Sequence, residues 1–267
     1  MKELYREVYH FRRGKTPLLV SMPHTGTHVP DWLEPRLTRA AKGLPDTDWH
    51  LEPLYDFLDA LGASVLVATH SRYVVDLNRP PDNANLYPGQ DTTDVVPLDT
   101  FHKQPLYLPG FPPSEEEKKS RIDQYWKPYH AKLADELNQL KAKHGYALLW
   151  DAHSILSVLP RFFPGKLPDF NLGTADGRSC GPGIGEKLLT IPKNYSVVLN
   201  GRFKGGYITR TYGDPSNNVH AVQLELSEAV YMEEQPPFRF REHLAAKVRP
   251  QLRELLRTFT QGFAPKA

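Results

Sequence analysis

The chain has 267 residues, 40% of them hydrophobic and 24% charged, with 33 lysines and arginines against 31 aspartates and glutamates. This length suits one α/β domain with a substantial core, and the near balance of charge argues against a general nucleic-acid binder. Cys180 is the only cysteine, which excludes an intrachain disulfide and a multi-cysteine zinc site and is typical of a reducing compartment.

Neither a membrane segment nor a secretory signal is visible in the sequence. No stretch approaches the roughly 20 apolar residues that a spanning helix needs. The first 15 residues are charged and lack the apolar run of a signal peptide. We therefore expect a cytoplasmic protein without a membrane partner, and the sequence predicts no particular oligomeric state.

Apolar, β-branched runs alternate with helical patterns along the chain. Strands are predicted at 17–23, 64–70, 73–78, 146–152, 196–200 and 221–227. Several are apolar almost throughout, as expected for strands covered on both faces. Strands alternating with helices predict a single α/β domain over 1–267, with a mixed, largely parallel sheet flanked by helices.

Three helices are predicted between and after these strands. The first covers 50–62 and the last about 238–262. The second covers 114–143 and begins with the capping-box spacing of Ser114 and Glu117. Its apolar residues recur at steps of three and four, as on an amphipathic helix.

Residues 80–113 interrupt the alternation of strands and helices. They are rich in proline and show little periodicity. A loop this long inside a compact domain is usually functional or disordered. Tyr87, Phe101, Tyr107 and Phe111 offer aromatic contacts, so we expect an ordered lid rather than a linker.

Polar residues stand at the ends of several predicted strands, where ligands bind in open α/β sheets. They are His24, Arg72, Asp76, Asn78, Arg79, Asp151, His153, Ser154, Glu225 and Glu228. Because these strand ends share one edge of a parallel sheet, we expect the side chains to converge on a site there.

His24 and His153 are the candidate metal ligands. A lone histidine at a strand end is more often a hydrogen-bonded structural residue, but two at equivalent ends favour a site. Asp48 lies nearby in sequence, and two imidazoles with one carboxylate and an open fourth position are typical of catalytic zinc. Asp46 is the alternative carboxylate, although it could instead cap the 50–62 helix.

Glu225 is the candidate general base. A carboxylate within an apolar strand is costly unless something pairs with it, and an activated water would give it a partner. An ion-paired glutamate would explain it as well, and Glu228 is the alternative nearer the turn. Asp151 shares a strand face with His153 and could orient it.

Four arginines point to an acidic substrate. Arg72 and Arg79 flank one predicted strand, and Arg202 and Arg210 lie in a glycine-rich segment. Arginine suits bidentate carboxylate recognition, although surface arginines commonly have no such role. No nucleotide-binding glycine motif is present.

Seven segments together resemble the N-formylglutamate amidohydrolase family, in the family's order and over nearly the whole chain. They are PHTGTHVP (23–30), DTDWH (46–50), SRYVVDLNRP (71–80), WDAHS (150–154), LPDFNLGTADGRSC (167–180), NGRFKGGYITRTYG (200–213) and QLELSEAVYM (223–232). The family is similar to zinc carboxypeptidases and aspartoacylase. The resemblance implies a carboxypeptidase-like fold and metal-dependent hydrolysis of N-formyl-L-glutamate to formate and L-glutamate, in histidine degradation.

The resemblance also implies roles for individual residues. The metal ligands would be His24 and His153, the carboxylate clamp Asn78 with Arg79, the oxyanion arginine Arg72, and the base Glu225. A second carboxylate on the substrate would be bound by Arg210, with Arg202.

One position departs from the relatives' pattern. Carboxypeptidases take their acidic ligand three residues after the first histidine, and Thr27 stands at that position here. The acidic ligand must therefore come from elsewhere, which is why Asp48 is nominated.

Two other interpretations are open at this point. The chain could be an amidohydrolase or small carboxypeptidase for another acidic N-acyl amino acid, because the motifs define the machinery better than the acyl group. It could also be a non-catalytic protein that keeps the arginine pocket and binds carboxylates without turnover.

Overall fold

A seven-stranded sheet organises the described part of the chain, residues 7–263 of a computed structural model. Residues 1–6, which begin the charged N-terminal segment, and 264–267 lie outside the described residues. The strands are β1 Tyr9–Arg12, β2 Leu18–Met22, β3 Ser64–Ala68, β4 Ala147–Ile155, β5 Phe170–Gly173, β6 Val197–Leu199 and β7 Val219–Ser227. Their spatial order is β1-β3-β2-β4-β7-β5-β6.

The centre of the sheet is parallel and its flanks are mixed. β3, β2, β4 and β7 run parallel, whereas β1 pairs antiparallel with β3, and β5 pairs antiparallel with β7. β5 and β6 are parallel to each other. The prediction of a mixed, largely parallel α/β sheet flanked by helices is confirmed.

Helices cover both faces of this sheet. They are α1 Arg39–Lys42, α2 Leu51–Leu54, α3 Glu115–Arg121, α4 Lys127–His144, α5 Ile184–Leu189, α6 Tyr207–Tyr212 and α7 Glu242–Gln261. Short 3-10 turns occupy Glu34–Arg36, Pro215–Asn217 and Glu228–Val230. Among the described residues, no helix combines the length and apolarity needed to cross a bilayer.

The predicted 114–143 helix is confirmed with its ends. Ser114 accepts a hydrogen bond from the backbone N–H of Glu117 and begins α3, and a π-helical segment, Ile122–Trp126, joins α3 to α4. Gly145 ends α4 in the left-handed conformation, at φ 82°, which a glycine adopts without steric cost.

The alternation of β4 side chains divides the core into two layers. Leu148, Trp150 and Ala152 pack on the side covered by α5 and α7, whereas Ala147 and Leu149 pack on the side covered by α4. Both sets are fully buried, which explains the continuous apolar run in the sequence.

The prediction of a strand at 73–78 is wrong, because this buried run has an irregular backbone. Its carbonyl groups, and that of Arg79 beside it, are bound by side chains of the helical segment 115–144 rather than by a neighbouring strand. The Arg121 guanidinium donates to Tyr73 O and Val74 O, His130 Nε2 bonds Leu77 O, and Trp126 Nε1 donates to Arg79 O. Buried carbonyls need partners, and helix side chains supply them here.

Three further elements differ from the predictions. The helix expected at 50–62 is helical only over α2, and turns continue to Gly62. Strands β1 and β5 were not predicted. β5 is short and contains Asn171 and Gly173, residue types that disfavour strands, and its pairing with β7 holds it.

Residues 80–113 contain no helix or strand and are nevertheless packed. Phe101 and Tyr107 are buried and Tyr87 is half-buried, but Phe111 is 54% exposed and contributes no buried contact of the expected kind. The segment is therefore a packed covering loop, and its role as a lid stays a prediction.

We expect His130 to make the fold acid-sensitive. Burial lowers the pKa of His130 from 6.5 to about 4. Between these values the unfolded chain binds a proton that the folded chain does not, so stability falls as pH falls. The loss contributed by His130 between pH 7 and pH 4 is about 3 kcal/mol.

Urea unfolding at both pH values tests this expectation. His130→Gln should be less stable than the parent at pH 7 and should lose about 3 kcal/mol less on acidification. The exposed His243→Gln is the control and should keep the parental profile. If the free energy of unfolding changed with pH in the same way for the parent and His130→Gln, His130 would not be the source of the acid sensitivity.

Candidate active site

His24, Asp48 and His153 converge at the carboxyl ends of the central strands. His24 follows β2, His153 lies near the end of the neighbouring β4, and the backbone N–H of Asp48 donates to His24 O at 3.1 Å. All three side chains are buried, and one donor atom from each lies within 4.8 Å of the others. The three residues chosen from the sequence therefore form one group that could hold a metal ion.

Asp76 orients the His24 ring. His24 Nε2 lies 2.8 Å from Asp76 Oδ1. Its other nitrogen, Nδ1, points towards Asp48 Oδ2 at 3.7 Å and has no hydrogen-bond partner although it is buried. A carboxylate on one imidazole nitrogen and a free second nitrogen is the usual arrangement of a metal-binding histidine.

His153 has the same orientation. Its Nδ1 lies 2.9 Å from Asp48 Oδ2, and its Nε2 lies 3.2 Å from Asp151 Oδ2. The Asn78 amide nitrogen is also 2.9 Å from Nε2. Both histidines thus direct Nδ1 at the Asp48 carboxylate, and each carries its own carboxylate on Nε2.

The charges of the group suit a bound cation. Burial and the nearby Arg72 lower the pKa of His24, which keeps this imidazole neutral. Burial alone would lower the pKa of His153 as well, but Asp151 and Asp48 raise it well above its ordinary value. The facing carboxylate and imidazoles therefore favour a positive charge between them, which a proton or a divalent ion provides. The donor set and the orphaned His24 Nδ1 both fit a metal.

Asp48, and not Asp46, belongs to this group. Asp46 Oδ2 accepts hydrogen bonds from the Tyr73 hydroxyl at 2.7 Å and from the backbone N–H of Phe101 at 2.8 Å. Burial raises the pKa of Asp46. Asp46 therefore ties the covering loop to the irregular 73–78 run.

Glu225 lies directly across from His153 in the pairing of β4 with β7. Burial raises the pKa of Glu225 to about 8. Gln223 Nε2 donates to Glu225 Oε2 at 3.4 Å, and no cation forms an ion pair with Glu225 among residues 7–263. Glu225 borders the cavity described below, whereas the buried Glu228 does not.

A cavity lies beside the histidines and, together with the open solvent at its mouth, spans about 550 Å³. His24, His153 and Glu225 line this cavity, and Asn78, Arg72, Arg79 and Arg202 add polar groups to its lining. Its remaining walls are Asp76, Tyr87, Thr92, Phe101, Ser154, Ile155, Phe162, Phe203, Gly206 and Gln223. Arg210 does not line it.

Arg72 is paired before any ligand enters. Its guanidinium donates to Asp76 Oδ2 at 2.7 Å and lies 3.6 Å from Asp48 Oδ1. It also stacks over the Phe101 ring at 4.6 Å. The chain Arg72–Asp76–His24 therefore couples this arginine to the His24–Asp48–His153 group.

Arg79 and Arg202 border the cavity without a carboxylate partner among the described residues. Arg79 Nη2 donates only to the Thr93 hydroxyl at 3.4 Å, and its buried Nε has no partner. Arg202 Nε donates to Phe162 O at 2.7 Å. Burial lowers the pKa of Arg202. Two cations held by neutral groups leave their charge available to an acidic ligand.

The side-chain amide of Asn78 is already occupied. Its oxygen accepts from the backbone N–H of Ile208 at 2.8 Å, and its nitrogen contacts His153 and Asp151. A Cβ on Gly206 would lie 2.4 Å from this amide, so the glycine permits the close approach. Asn78 therefore positions His153 and the start of α6 as well as bordering the cavity.

Arg210 and Cys180 stand apart from the cavity. Arg210 Nε donates to Gly205 O at 2.7 Å, and its guanidinium lies 5.0 Å from the Tyr87 ring centre. Cys180 is buried, and burial raises the pKa of its thiol to about 11. Such a thiol is a poor nucleophile at neutral pH.

Two residues at the site were given no role from the sequence. Asp76 stands at the end of a predicted strand, but nothing local shows that its carboxylate meets His24. Tyr87 was identified only as one aromatic residue of the covering loop. The place of Asp76 at a predicted strand end, two residues before Asn78-Arg79, indicated that it lies near the site but not that it orients His24.

We expect Asp76→Asn to weaken metal binding by about 10- to 100-fold, because the amide cannot hold His24 as the carboxylate does. A competition titration with a chelating dye measures this directly. The exposed Asp82→Asn is the control and should bind metal like the parent. Unchanged affinity in a folded Asp76→Asn protein would show that Asp76 serves only Arg72.

Comparison with known proteins agrees with the sequence motifs. The model of the N-formylglutamate amidohydrolase family matches residues 16–232. A Pseudomonas putida N-formylglutamate deformylase is 52% identical over 253 residues, covering 94% of each chain. A Pseudomonas aeruginosa N-formylglutamate deformylase is 53% identical over 253 residues, covering 94% of this chain and 95% of its own.

Solved structures share the fold. An N-formylglutamate amidohydrolase from Ralstonia eutropha JMP134 has a TM-score of 0.78 and 24% identity, covering 95% of this chain and 98% of that chain. A gene product of Agrobacterium tumefaciens has a TM-score of 0.73 and 17% identity, covering 96% of each chain. Together with the family match and the two deformylases, this shows that the chain belongs to the N-formylglutamate amidohydrolase family.

Proposed function

We propose that this protein is a metal-dependent amidohydrolase that converts N-formyl-L-glutamate and water to formate and L-glutamate. The main support is one cavity lined by His24 and His153 of the buried His24–Asp48–His153 group, by Glu225, and by two arginines without carboxylate partners among the described residues. The names of the two Pseudomonas relatives support the same substrate. A role in histidine degradation and a cytoplasmic location stay predictions.

His24, Asp48 and His153 would hold the ion, each imidazole through Nδ1. We propose zinc, because two imidazoles and one carboxylate are a common catalytic zinc set. When bound, such an ion polarises a carbonyl and lowers the pKa of water to about 7. Asp76 and Asp151 keep the two rings in the orientation that this binding requires.

Glu225 would move the proton. Its carboxylate takes a proton from the water that attacks the formyl carbon, and later gives it to the leaving nitrogen as the C–N bond breaks. A general base works best when its pKa lies near the working pH, and burial shifts Glu225 in that direction. The products of these two steps are formate and L-glutamate, whose amino group is now free.

Arg72 would stabilise negative charge on the formyl oxygen. It borders the cavity beside His24 and is already fixed by Asp76, so little reorganisation is needed when charge develops. Preorganised donors of this kind are worth about 10²–10³ in rate.

Arg79 and Arg202 would bind the two carboxylates of the substrate. Both border the cavity, and both are held by neutral groups. Asn78 supports this clamp by fixing His153 and the start of α6. We propose that Arg210 acts indirectly, through Gly205 and Tyr87, because it lies outside the cavity lining.

Formate release from N-formyl-L-glutamate, measured before chelation, after chelation and after adding zinc back, tests the proposal. We expect release that chelation removes and zinc restores. Release that survives thorough chelation would overturn the metal site. If metal-loaded protein released no formate, the proposal that N-formyl-L-glutamate is the substrate would be wrong. A panel of other acidic N-acyl amino acids would then identify the acyl group.

A further inference from the structure

Arg202 is held by the protein through backbone carbonyls. Its Nε donates to Phe162 O at 2.7 Å and its Nη2 to Asp91 O at 3.3 Å. Its guanidinium also lies 5.3 Å from the Tyr87 ring centre. Carbonyls and an aromatic ring orient the cation without neutralising it. The direction of the Arg202 guanidinium therefore depends on where the two segments that contain Phe162 and Asp91 lie.

Arg161 connects those two segments. Its side chain is 8% exposed and does not border the cavity. Its Nε and Nη2 donate to Asp91 Oδ1 at 3.1 and 3.0 Å, and its Nη1 donates to Asp99 Oδ1 at 2.8 Å and Thr100 O at 2.7 Å. Four hydrogen bonds thus tie the covering loop to the residue that precedes Phe162.

The charge of Asp91 is directed away from Arg202. Its carboxylate pairs with Arg161 and with Lys103 Nζ at 2.7 Å, while only its carbonyl faces Arg202. If the Asp91 carboxylate turned to Arg202 instead, it would compete with an anionic ligand for the same guanidinium. Arg161 therefore places the loop and also occupies the competing carboxylate.

Tyr87 belongs to the same covering loop and completes the support. Its hydroxyl donates to Gly205 O at 2.7 Å. Its ring borders the cavity and lies 5.3 Å from the Arg202 guanidinium and 5.0 Å from that of Arg210. The loop therefore contacts the Arg202 segment at two places, through Tyr87 and through Asp91.

We infer that Arg161 is a positioning residue that sets selectivity for substrates with a second carboxylate, by holding Asp91 and Phe162 so that the free Arg202 guanidinium faces the cavity. This rests on the proposed function, in which Arg202 binds one carboxylate of N-formyl-L-glutamate. Arg161 itself touches no substrate.

The test compares N-formyl-L-glutamate with N-formyl-L-glutamine, which has the same shape but a neutral side chain. KM and kcat are measured for both compounds, and Kd is measured by titration calorimetry in a Glu225→Gln background, which should bind the compounds with very slow turnover. In Arg161→Gln we expect KM and Kd for N-formyl-L-glutamate to rise about tenfold, with the loss falling on KM rather than kcat. The preference for glutamate over glutamine should fall by the same factor.

Matched variants separate positioning from general damage. Lys103→Gln removes the other Asp91 ion pair, which is exposed and should contribute little, so it should keep the parental preference. Asp91→Asn, a milder change in the loop, should reproduce the loss of preference if Arg161→Gln does not fold. In an Arg202→Gln background, Arg161→Gln should cause no further loss of preference.

Three results would overturn the inference: equal losses on both compounds, an additive loss in the double variant, or a parent without preference. A parent that binds N-formyl-L-glutamate selectively but releases no formate would instead overturn the proposed function. The Kd values would still test Arg161 in that case.

Discussion

Glu225→Gln should lower kcat for formate release from N-formyl-L-glutamate by about 10³-fold, within the range for loss of a general base. Glutamine keeps the shape and the contact with Gln223 but cannot accept a proton. Because Glu225 is not among the three residues that would hold the ion, metal content should be unchanged. Steady-state kinetics and metal analysis on the same preparation measure both quantities.

Glu228→Gln is the matched control for this variant. Glu228 is another buried glutamate, directly after the strand that contains Glu225, but it does not border the cavity. We expect its activity to stay within a few-fold of the parent. A loss in Glu228→Gln equal to that in Glu225→Gln, or near-parental turnover in Glu225→Gln, would remove Glu225 from the role of base.

Replacing any one of His24, Asp48 or His153 by alanine should abolish tight metal binding and lower formate release by at least about 10³-fold. Each change removes one of three protein donors, and a site with two donors no longer offers the set that holds a catalytic ion. Metal per chain after gel filtration, determined by mass spectrometry, and formate release with added zinc measure the two effects.

The exposed His243→Ala is the control for the histidine variants, because it removes an imidazole that does not belong to the group and should leave metal content unchanged. Circular dichroism checks that each variant is folded. A folded His24→Ala or His153→Ala protein that retains stoichiometric metal and full activity would place the ion elsewhere.

The local pattern of the chain predicted much of what the structure shows. Apolar, β-branched runs predicted β2, β3, β4, β6 and β7, and the run in β4 is almost continuous because that strand is covered on both faces. Since parallel strands end at a common edge, the same runs placed His24, His153 and Glu225 together. That inference needs only strand direction, not detailed packing, and the structure brings all three to one cavity.

Other features depended on contacts between residues far apart in the chain. The run 73–78 has a strand-like pattern, yet the side chains of Arg121, Trp126 and His130 bind its carbonyls or those beside it, and no strand pairs with it. Residues this distant in sequence carry no local signal of such a contact. Burial was therefore predicted correctly, and the hydrogen-bonding partner was not.

The sequence by itself determined the α/β class, the family resemblance, and the residue types at the strand ends, because hydrophobic periodicity and strand direction are local properties. The tertiary structure alone decided that Asp48 rather than Asp46 joins the histidines, that Asp76 orients His24, and that Arg202 borders the cavity while Arg210 does not. Asp46 and Asp48, like Arg202 and Arg210, offer the same chemistry in one segment, and only the path of the chain in space decided which of them faces the site. The contact of Asp76 with His24 joins residues 52 positions apart, which no local pattern indicates.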